Sequence, residues 1–527
     1  MKGSKGQTRR EFLKSAGLGA TVMLSQKSLS FNKSEEKTAY HRKNVANRMG
    51  KQPNVLIIYT DQQNPWTIGA YGGKLVETPN IDRIAQEGSI FNNFFTNTAV
   101  CTPSRGSFLT GRYHHSHGAW VNGRPINQNE LTFAKILKKH GYDTGYAGKW
   151  HLDGYDQRPG WVHPERSMGF TNCHFMFNDY HGKKMENGRQ NSITRTPYDA
   201  TYKPVVFPLD ILGDEKTYTT DFLTDKAIEF IEKPRQGMPF CYMLSIPDPH
   251  HPFSVRSPYD SMFKPEDMPI PSTFSQEILP RWAKTVQANN VYALSNPDRE
   301  KALRKIMAAY CGMVKLIDDC LGRILKTLEQ LRILDETIVV FTTDHGDYMG
   351  EHGLPEKNQS YEPVYHIPML IRWPEEIAKE TIINNIVTNV DFQQTLLGLV
   401  GSEPSGREQG RDASPLLRGE MIEWVDQAFI YQHGYQRAGI ITPEYQLVYV
   451  ESYYSYEDKG VVKCNLSGPE NDAILFDRKN DPEQVRNLIH DPEYKDIINQ
   501  LTKRIVEHNI AVDSPTVDWL KTISMTK

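Results

Sequence analysis

The segment Cys101-Thr102-Pro103-Ser104-Arg105 places a cysteine where a helix is expected to begin. Pro103 suits the first position of a helix and Thr102 can cap it, so we expect Cys101 at a helix N-terminus. The partial positive charge of such an end favours anions and lowers the pKa of a thiol. A cysteine nucleophile would need a nearby base, whereas a buried structural cysteine would need no partner. Taken alone, the segment favours a structural cysteine.

Four clusters of polar residues each follow a short apolar run of the chain. The clusters are Asp61-Gln62, Lys149-Trp150-His151, His250-His251 and Asp344-His345. The ligand site of an open α/β sheet forms beyond the carboxyl ends of its strands. If the four runs are strands of one sheet, a single edge of that sheet receives acids, histidines and a lysine. We expect the functional site at that edge.

The apolar runs also predict the architecture. Buried strands are expected over Asn54–Thr60, Tyr142–Ala147, Phe240–Ile246 and Thr337–Thr343, with helical patterns over Leu131–His140 and Ala302–Leu331. Strands that alternate with helices predict an α/β fold. We expect a large mixed, mostly parallel sheet that is sandwiched by helices.

Beyond about Gly410 the pattern changes to that of a second, smaller domain. Half-exposed strands are expected over Ala428–Gln432 and Tyr445–Val450, another strand over Ala473–Asp477 and a helix over Asp496–His508. We predict a catalytic domain over 50–415 and a C-terminal domain, with an antiparallel sheet and a helix, over 416–515. The spans 153–216 and 251–297 are expected to be long loops that face the substrate.

The N-terminus predicts export. Arg9 and Arg10 precede a short apolar stretch, and paired arginines in this setting resemble a twin-arginine export signal. We assign residues 1–35 to this signal and its linker, the alternative being a disordered basic tail. The stretch is shorter than the roughly 20 residues that cross a bilayer. We expect a bacterial protein that is periplasmic or secreted and has no membrane span.

Charge and cysteine content exclude other classes of protein. The net charge of −3 over 527 residues offers no attraction to nucleic acid or to an anionic membrane. Six cysteines over this length do not form a disulfide framework. We expect the cysteines other than Cys101 to be small buried hydrophobic residues.

The cysteine segment, followed by Leu109-Thr110-Gly111, resembles the signature of the type I sulfatases, in which the cysteine is oxidised to formylglycine. Further matches stand in the family's order: Asp61-Gln62, Gly148-Lys149-Trp150-His151, Pro249-His250-His251-Pro252, Thr343-Asp344-His345-Gly346-Asp347, and Lys357 ahead of Tyr361-Glu362. The resemblance to these sulfatases of the alkaline phosphatase superfamily covers residues 53–503. It implies an alkaline phosphatase-like fold, hydrolysis of sulfate esters, and maturation by a formylglycine-generating enzyme.

The resemblance also implies one divalent metal ion. By the family's pattern its ligands are Asp61, Gln62, Asp344, His345 and the hydrated aldehyde formed from Cys101. Many sulfatases have Asp and Asn in place of this Gln and His, and an imidazole suits transition metals better than calcium. Related members share the Gln and His, so we expect calcium, with magnesium and manganese as alternatives.

The other roles are implied by the same resemblance. Arg105 is expected to hold the hydrated aldehyde, Lys149 and Lys357 to bind sulfate oxygens, and Asp344 to accept the proton of the attacking hydroxyl. One hydroxyl of the hydrate attacks sulfur and releases the alcohol, and the other then expels sulfate to restore the aldehyde. A plain serine could not complete the second step.

Two histidines receive roles in proton transfer. His250, in preference to its neighbour His251, is expected to protonate the leaving alcohol, and His151 to assist the loss of sulfate. The remaining candidates are expected to pack rather than react; these are His114, His115, His117 and His352.

Three alternatives to a sulfatase stay open. Gln62 and His345 also permit a phosphonate or phosphate ester hydrolase of the same superfamily. A binding protein with a relic site is opposed by the complete set of site residues. A two-metal phosphatase would lack the expected nucleophile at position 101.

The substrate is expected to be an extended sulfated carbohydrate, a polysaccharide or its oligosaccharides, rather than a small aryl ester. Export, long loops and aromatic side chains favour it; the aromatic residues are Trp161, Tyr180, Tyr202 and Tyr435. An algal polysaccharide and a glycosaminoglycan both fit.

Overall fold

The computed structural model describes most of the chain after residue 51. The described residues are 52–154, 162–178, 181–186, 189–190, 212–288, 299–357, 359–432, 434–457, 460–465 and 473–525. The expected export signal over 1–35 lies outside them, as do Trp161, Tyr180 and Tyr202.

The described strands belong to one large sheet and several small ones. In chain order they are β1 (Asn54–Thr60), β2 (Ser89–Phe91), β3 (Phe94–Phe95), β4 (Asp143–Lys149), β5 (Asn172–Phe177), β6 (Met185–Glu186), β7 (Arg189–Gln190), β8 (Phe240–Ser245), β9 (Thr337–Thr343), β10 (Met369–Arg372), β11 (Thr381–Ile383), β12 (Val387–Thr388), β13 (Ala428–Tyr431), β14 (Arg437–Ile441), β15 (Tyr445–Val450), β16 (Ser452–Glu457), β17 (Gly460–Asn465) and β18 (Ile474–Asp477).

The α-helices alternate with the strands of the large sheet and follow the last strand. They are α1 (Pro79–Glu87), α2 (Cys101–Thr110), α3 (His114–His117), α4 (Phe133–Lys139), α5 (Thr219–Glu232), α6 (Arg281–Ala288), α7 (Arg299–Gln330), α8 (Phe392–Val400), α9 (Ser414–Leu417), α10 (Lys495–Ala511) and α11 (Val517–Met525). Among the described residues, no helix combines the length and the apolar character that crossing a membrane requires.

The large sheet has eight strands in the order β11-β2-β10-β9-β1-β8-β4-β5. The five strands from β9 to β5 are parallel, whereas β10 runs antiparallel to both of its neighbours. In the centre, Val55 of β1 pairs with Cys241 of β8 on one side and with Ile338 of β9 on the other. The prediction of a mixed, mostly parallel sheet is confirmed.

Both faces of the large sheet are buried. Along β1, Val55 and Ile57 pack in a cluster with residues of α2, α4 and α8, while Leu56 and Ile58 pack in a second cluster with residues of α1, α5 and α7. Burying each large aliphatic side chain stabilises the fold by about 1.5–3 kcal/mol. Packing on both faces explains why the central strands are continuous apolar runs in the sequence.

The C-terminal region forms a separate antiparallel sheet in the order β13-β14-β15-β18. Ile440 and Leu447 pack against residues of α10, and Ile430 and Val448 pack in a cluster with Tyr361. The expectation of half-exposed strands was wrong, because residues upstream of the small sheet cover its second face. The division of the chain at 415/416 stays a prediction.

The expected long loops contain regular structure. The strand β5 lies within 153–216 and the helix α6 within 251–297, so neither span is loop throughout. The helix expected over Leu131–His140 begins later, at Phe133, because Thr132 accepts a hydrogen bond from the Lys135 amide and caps it. The four cysteines besides Cys101 whose side chains the structure describes are buried, as expected; they are Cys173, Cys241, Cys311 and Cys320.

Candidate active site

The polar clusters meet at one edge of the large sheet. The strands β9, β1, β8 and β4 are adjacent and parallel, and the clusters follow their carboxyl ends. The Gln62 amide donates to Oδ1 of Asp344 at 3.0 Å, and the Asp61 amide donates to the carbonyl oxygen of Asp248 at 3.2 Å. The predicted convergence of the four clusters is confirmed.

Cys101 is the first residue of α2, and Val100 is the extended residue that precedes the helix. The amide of Ser104 already closes a turn on the carbonyl oxygen of Val100 at 3.0 Å. Pro103 is therefore the third helical residue and not the first. Thr102 does not cap the helix, since its hydroxyl donates to the carbonyl oxygen of His151 at 2.8 Å.

The thiol of Cys101 is 1% exposed and points into the convergence of the strands. Its Sγ lies 3.2 Å from Nε2 of His345 and 4.0 Å from Oδ1 of Asp61. Burial raises the pKa of Cys101 to about 11, although the nearby lysine charges lower it. The expected lowering of this pKa was wrong, because desolvation outweighs the helix end. The thiol is therefore protonated at neutral pH and is a weak nucleophile.

Arg105 joins the two carboxylates of the site. Its guanidinium donates to Oδ2 of Asp344 at 2.9 Å and to Oδ2 of Asp61 at 3.0 Å, and it lies 5.1 Å from the ring centre of Tyr59. Burial raises the pKa of Asp61, but the charges of Lys149 and Arg105 outweigh burial and hold this pKa well below its usual range. Asp61 is therefore ionised at neutral pH.

Asp61, Cys101, Asp344 and His345 form a buried group whose ligand atoms all lie within 4.8 Å of one another. Nδ1 of His345 lies 2.9 Å from the carbonyl oxygen of Gly346. A proton on Nδ1 satisfies that carbonyl and leaves the lone pair of Nε2 directed at the group. Two carboxylates and an imidazole so arranged are a suitable donor set for a divalent cation.

Gln62 borders this group in a left-handed conformation with φ of 65°. Its side-chain oxygen accepts a hydrogen bond from Lys357 at 2.5 Å, and its side-chain nitrogen donates to Asp347. The structure thus brings Gln62 beside Asp344 and Lys357, and the ligand role of Gln62 stays a prediction.

The two lysines and His250 lie on the same side of the site. The ammonium of Lys149 donates to Oδ2 of Asp61, and that of Lys357 lies 2.7 Å from Nε2 of His250. Nδ1 of His250 lies 2.8 Å from the carbonyl oxygen of His251. Burial, followed by the charges around it, lowers the pKa of His250 well below its usual value.

His151 follows β4 and is 6% exposed. Its φ of 57° is left-handed, a conformation that costs a residue other than glycine on the order of 1–3 kcal/mol. The hydrogen bond from Thr102 to its carbonyl oxygen ties this strained residue to the helix that begins at Cys101. Burial and the charge of Lys149 lower the pKa of His151 well below its usual value.

His181 is a site residue that sequence reasoning missed. Its Nε2 lies 2.8 Å from the ammonium of Lys149, and its ring stacks on that of His250 with a centroid distance of 3.8 Å. It lies shortly after β5, and β5 was not predicted. The rule that polar residues follow the carboxyl ends of strands would have found it had Asn172–Phe177 been identified as a strand.

The four histidines expected to pack are held by neighbours within the fold. His117 lies 3.2 Å from the hydroxyl of Ser107, and the ring of His352 stacks on Tyr361 at 3.8 Å. His114 and His115 lie near carbonyl oxygens, those of Gly434 and Val512.

Two protein-family models match the chain. The model described as Sulfatase matches residues 53–402. The chain belongs to the sulfatase family. A second model, described as N-sulphoglucosamine sulphohydrolase, C-terminal, matches residues 350–511 of this sulfatase.

Relatives and solved structures agree with this assignment. The sulfatase is 28% identical to N-acetylglucosamine-6-O-sulfatase of Bacteroides thetaiotaomicron, over 84% of each chain. It is also 28% identical to the ulvan-active sulfatase of Formosa agariphila, over 86% of this chain and 80% of that protein. The solved structure of BT4656 with its substrate D-glucosamine-2-N,6-O-disulfate has a TM-score of 0.68 and 25% identity, and the match covers 88% of this chain and 98% of that one. The alkaline phosphatase-like fold is confirmed, and the protein is a sulfuric ester hydrolase.

Proposed function

We propose that this sulfatase is exported and hydrolyses sulfate esters of a sulfated polysaccharide or its oligosaccharides, with a formylglycine made from Cys101 and one divalent metal ion. The observation that carries the proposal is the position of Cys101, whose Sγ lies 3.2 Å from His345 in the group that also contains Asp61 and Asp344. A nucleophile formed at this position faces the donors of the metal site.

Oxidation by a formylglycine-generating enzyme explains how residue 101 can act as a nucleophile, which the unmodified thiol does not explain. The buried thiol, with a pKa of about 11, is a weak nucleophile at neutral pH. A hydrated aldehyde at the same position offers two hydroxyls, and the residues proposed to hold them are Arg105 and His345, whose Nε2 lies 3.2 Å from Sγ of Cys101. The signature of the family starts at this same cysteine.

The metal assignment rests on the donor atoms. Asp61, Asp344 and His345, with Gln62 and the modified residue 101, would hold the ion. Calcium is the proposed metal, with magnesium and manganese as alternatives. The bound ion would neutralise negative charge on the sulfate group and polarise its oxygens.

Removing the metal is expected to abolish turnover and to lower the melting temperature, because a ligand that binds only the folded state stabilises it. Dialysis against a chelator, followed by addition of calcium, magnesium or manganese, tests this by calorimetry and by turnover of a sulfate ester. Calcium should restore both quantities. Restoration by manganese alone would contradict the calcium assignment, and full activity in protein shown to be metal-free by elemental analysis would contradict metal use.

The remaining side chains divide the work around the sulfate. The ammonium groups of Lys149 and Lys357 neutralise its oxygens. His250 is the proposed proton donor to the leaving alcohol, and its Nε2 lies 2.7 Å from the ammonium of Lys357. His151, whose lowered pKa keeps its imidazole neutral, accepts the proton released as sulfate departs.

An aromatic and cationic cluster supports a carbohydrate as the substrate. The ring of Tyr435 lies 5.1 Å from that of Trp120, and the guanidinium of Arg124 lies 4.9 Å from the Trp120 ring. The segment that contains Trp120 contacts the active-site helix, since Oδ1 of Asn122 accepts a hydrogen bond from the Thr102 amide at 3.1 Å. Aromatic rings pack on sugar faces, and an exposed arginine suits an anionic substituent.

Trp120→Ala is expected to lower kcat/KM on a sulfated oligosaccharide by about tenfold, since it removes an aromatic contact. Its kcat/KM on 4-nitrophenyl sulfate, which has no second sugar unit, should change little. Tyr445→Ala, which removes the aromatic contact of Tyr445 with Tyr494, is the matched control and should alter neither rate. Equal losses on both substrates would contradict a role in carbohydrate binding.

Export and reaction class have separate tests. Export predicts that fractionation of cells expressing the full chain finds the protein outside the cytoplasm. Replacing Arg9 and Arg10 by lysine should retain the protein inside, and export of that variant would contradict the signal assignment.

A phosphonate or phosphate ester hydrolase is the alternative that Gln62 and His345 permit. Faster turnover of a phosphonate monoester than of every sulfate ester in a defined set would favour this alternative.

A further inference from the structure

His181 lies inside the active site although none of the family's motifs includes it. Its side chain is 17% exposed, its ring is parallel to that of His250 within 6°, and its Nε2 lies 2.8 Å from Nζ of Lys149. These contacts with two proposed site residues call for an explanation.

The contact with Lys149 fixes which atom donates. An ammonium group has three N–H donors and no acceptor, so Nε2 of His181 must accept and its imidazole must be neutral in this arrangement. A second donor of Lys149 is directed at Oδ2 of Asp61. With two donors held, the third has a defined direction and can meet an anion in the site.

Lys357 is held in the same way. Its ammonium donates to the side-chain oxygen of Gln62 at 2.5 Å and lies 2.7 Å from Nε2 of His250. Each lysine therefore has one proposed metal ligand and one imidazole nitrogen as acceptors. The two imidazoles that hold the lysines are stacked on each other at 3.8 Å.

We infer that His181 is a positioning residue that fixes the side chain of Lys149. Through its stack on His250 it also fixes the position of Lys357, so that the two ammonium groups bind one sulfate. Lysine has a long flexible side chain, and without fixed acceptors it loses much more conformational freedom when it binds an anion. The stacked imidazoles of His181 and His250 fix the distance between the ammonium groups of Lys149 and Lys357 before sulfate binds. This inference rests on the proposed function of Lys149 and Lys357 in binding sulfate.

Two substitutions separate the two contacts of His181. His181→Phe keeps a ring that can stack on His250 but has no atom to accept a hydrogen bond from Lys149. His181→Gln keeps an acceptor oxygen but has no ring. His174→Phe is the matched control, because His174 is an exposed histidine of the neighbouring strand β5.

The primary measurement is the dissociation constant of inorganic sulfate, obtained by calorimetry on the metal-loaded enzyme. His181→Phe is expected to weaken sulfate binding about tenfold, because Lys149, no longer held, loses more side-chain freedom when it binds the anion. His181→Gln should weaken sulfate binding by less, about threefold, since it retains the acceptor for Lys149 and loses only the stack on His250. In turnover of a sulfate ester, the loss in His181→Phe should appear in KM more than in kcat.

Sulfate binding by His181→Phe that equals that of the wild type would overturn the inference, as would equal losses in the Phe and Gln variants at unchanged melting temperatures. Because sulfate binding is measured without turnover, failure of the proposed function is a different result. A wild-type enzyme that cleaves no sulfate ester would refute that function, whatever the variants bind.

Discussion

Cys101→Ala is expected to lower sulfate ester turnover roughly 10⁴-fold or more while the fold stays intact. Alanine has no atom that can be oxidised to the aldehyde or bond to sulfur, so the covalent route is closed. The structural cost is small, because only the atoms attached to Cβ of residue 101 are removed, and we expect a loss of stability of about 1 kcal/mol. Steady-state turnover and the thermal melting curve check both parts.

Mass spectrometry of the peptide that contains residue 101 supplies the chemical control. In active wild-type protein it should show an aldehyde in place of the thiol. Cys241→Ala is the matched substitution, since Cys241 is also fully buried but lies in the core strand β8, and it should keep its activity. Activity that survives in Cys101→Ala, or an intact thiol in fully active enzyme, would refute the mechanism.

The centre of the fold could be predicted because its strands are buried on both faces. The runs that form β1, β8 and β9 are continuous apolar segments, and their ends locate the site. The outer strands β2, β5 and β11 have no such signal, since they are short or carry polar residues. The strands β5 and β11 are also less completely buried, since His174 and Ile382 are exposed, so neither segment needs a continuous apolar run.

The site residues that follow central strands could be predicted from the sequence. Residues and pKa values that depend on the assembled fold could not. Asp61, Asp344 and His345 follow β1 and β9 directly, and the structure brings them together with Cys101. His181 follows a strand that the sequence does not reveal. The pKa of Cys101 could not be predicted either, because the helix end is visible in the sequence but the desolvation that raises the pKa depends on the assembled site.

Arg105→Met is expected to lower the free energy of unfolding by about 3–5 kcal/mol and to abolish turnover, because it removes the guanidinium that neutralises Asp61 and Asp344. Methionine fills most of the space, so the loss measures the charge and the hydrogen bonds of the guanidinium rather than a cavity. Because a divalent cation between the carboxylates would replace part of the missing positive charge, the melting temperature of the variant should rise more steeply with metal concentration than that of the wild type.

The pH dependence of this loss has a definite sign. The pKa of Asp61 lies well below its usual range in the folded wild type, so its stabilisation is present above the unfolded pKa, near 4, and is lost as the pH falls through the folded pKa. The difference in stability between wild type and Arg105→Met should therefore be largest near neutral pH and shrink in acid.

Arg256→Met is the matched control. Arg256 donates to Oδ2 of Asp221 at 2.7 Å, and Asp221 is not one of the proposed metal ligands. It should lose stability without gaining this dependence on metal. If both variants responded equally to metal, Arg105 would be a structural arginine and not the counter-charge of the catalytic carboxylates.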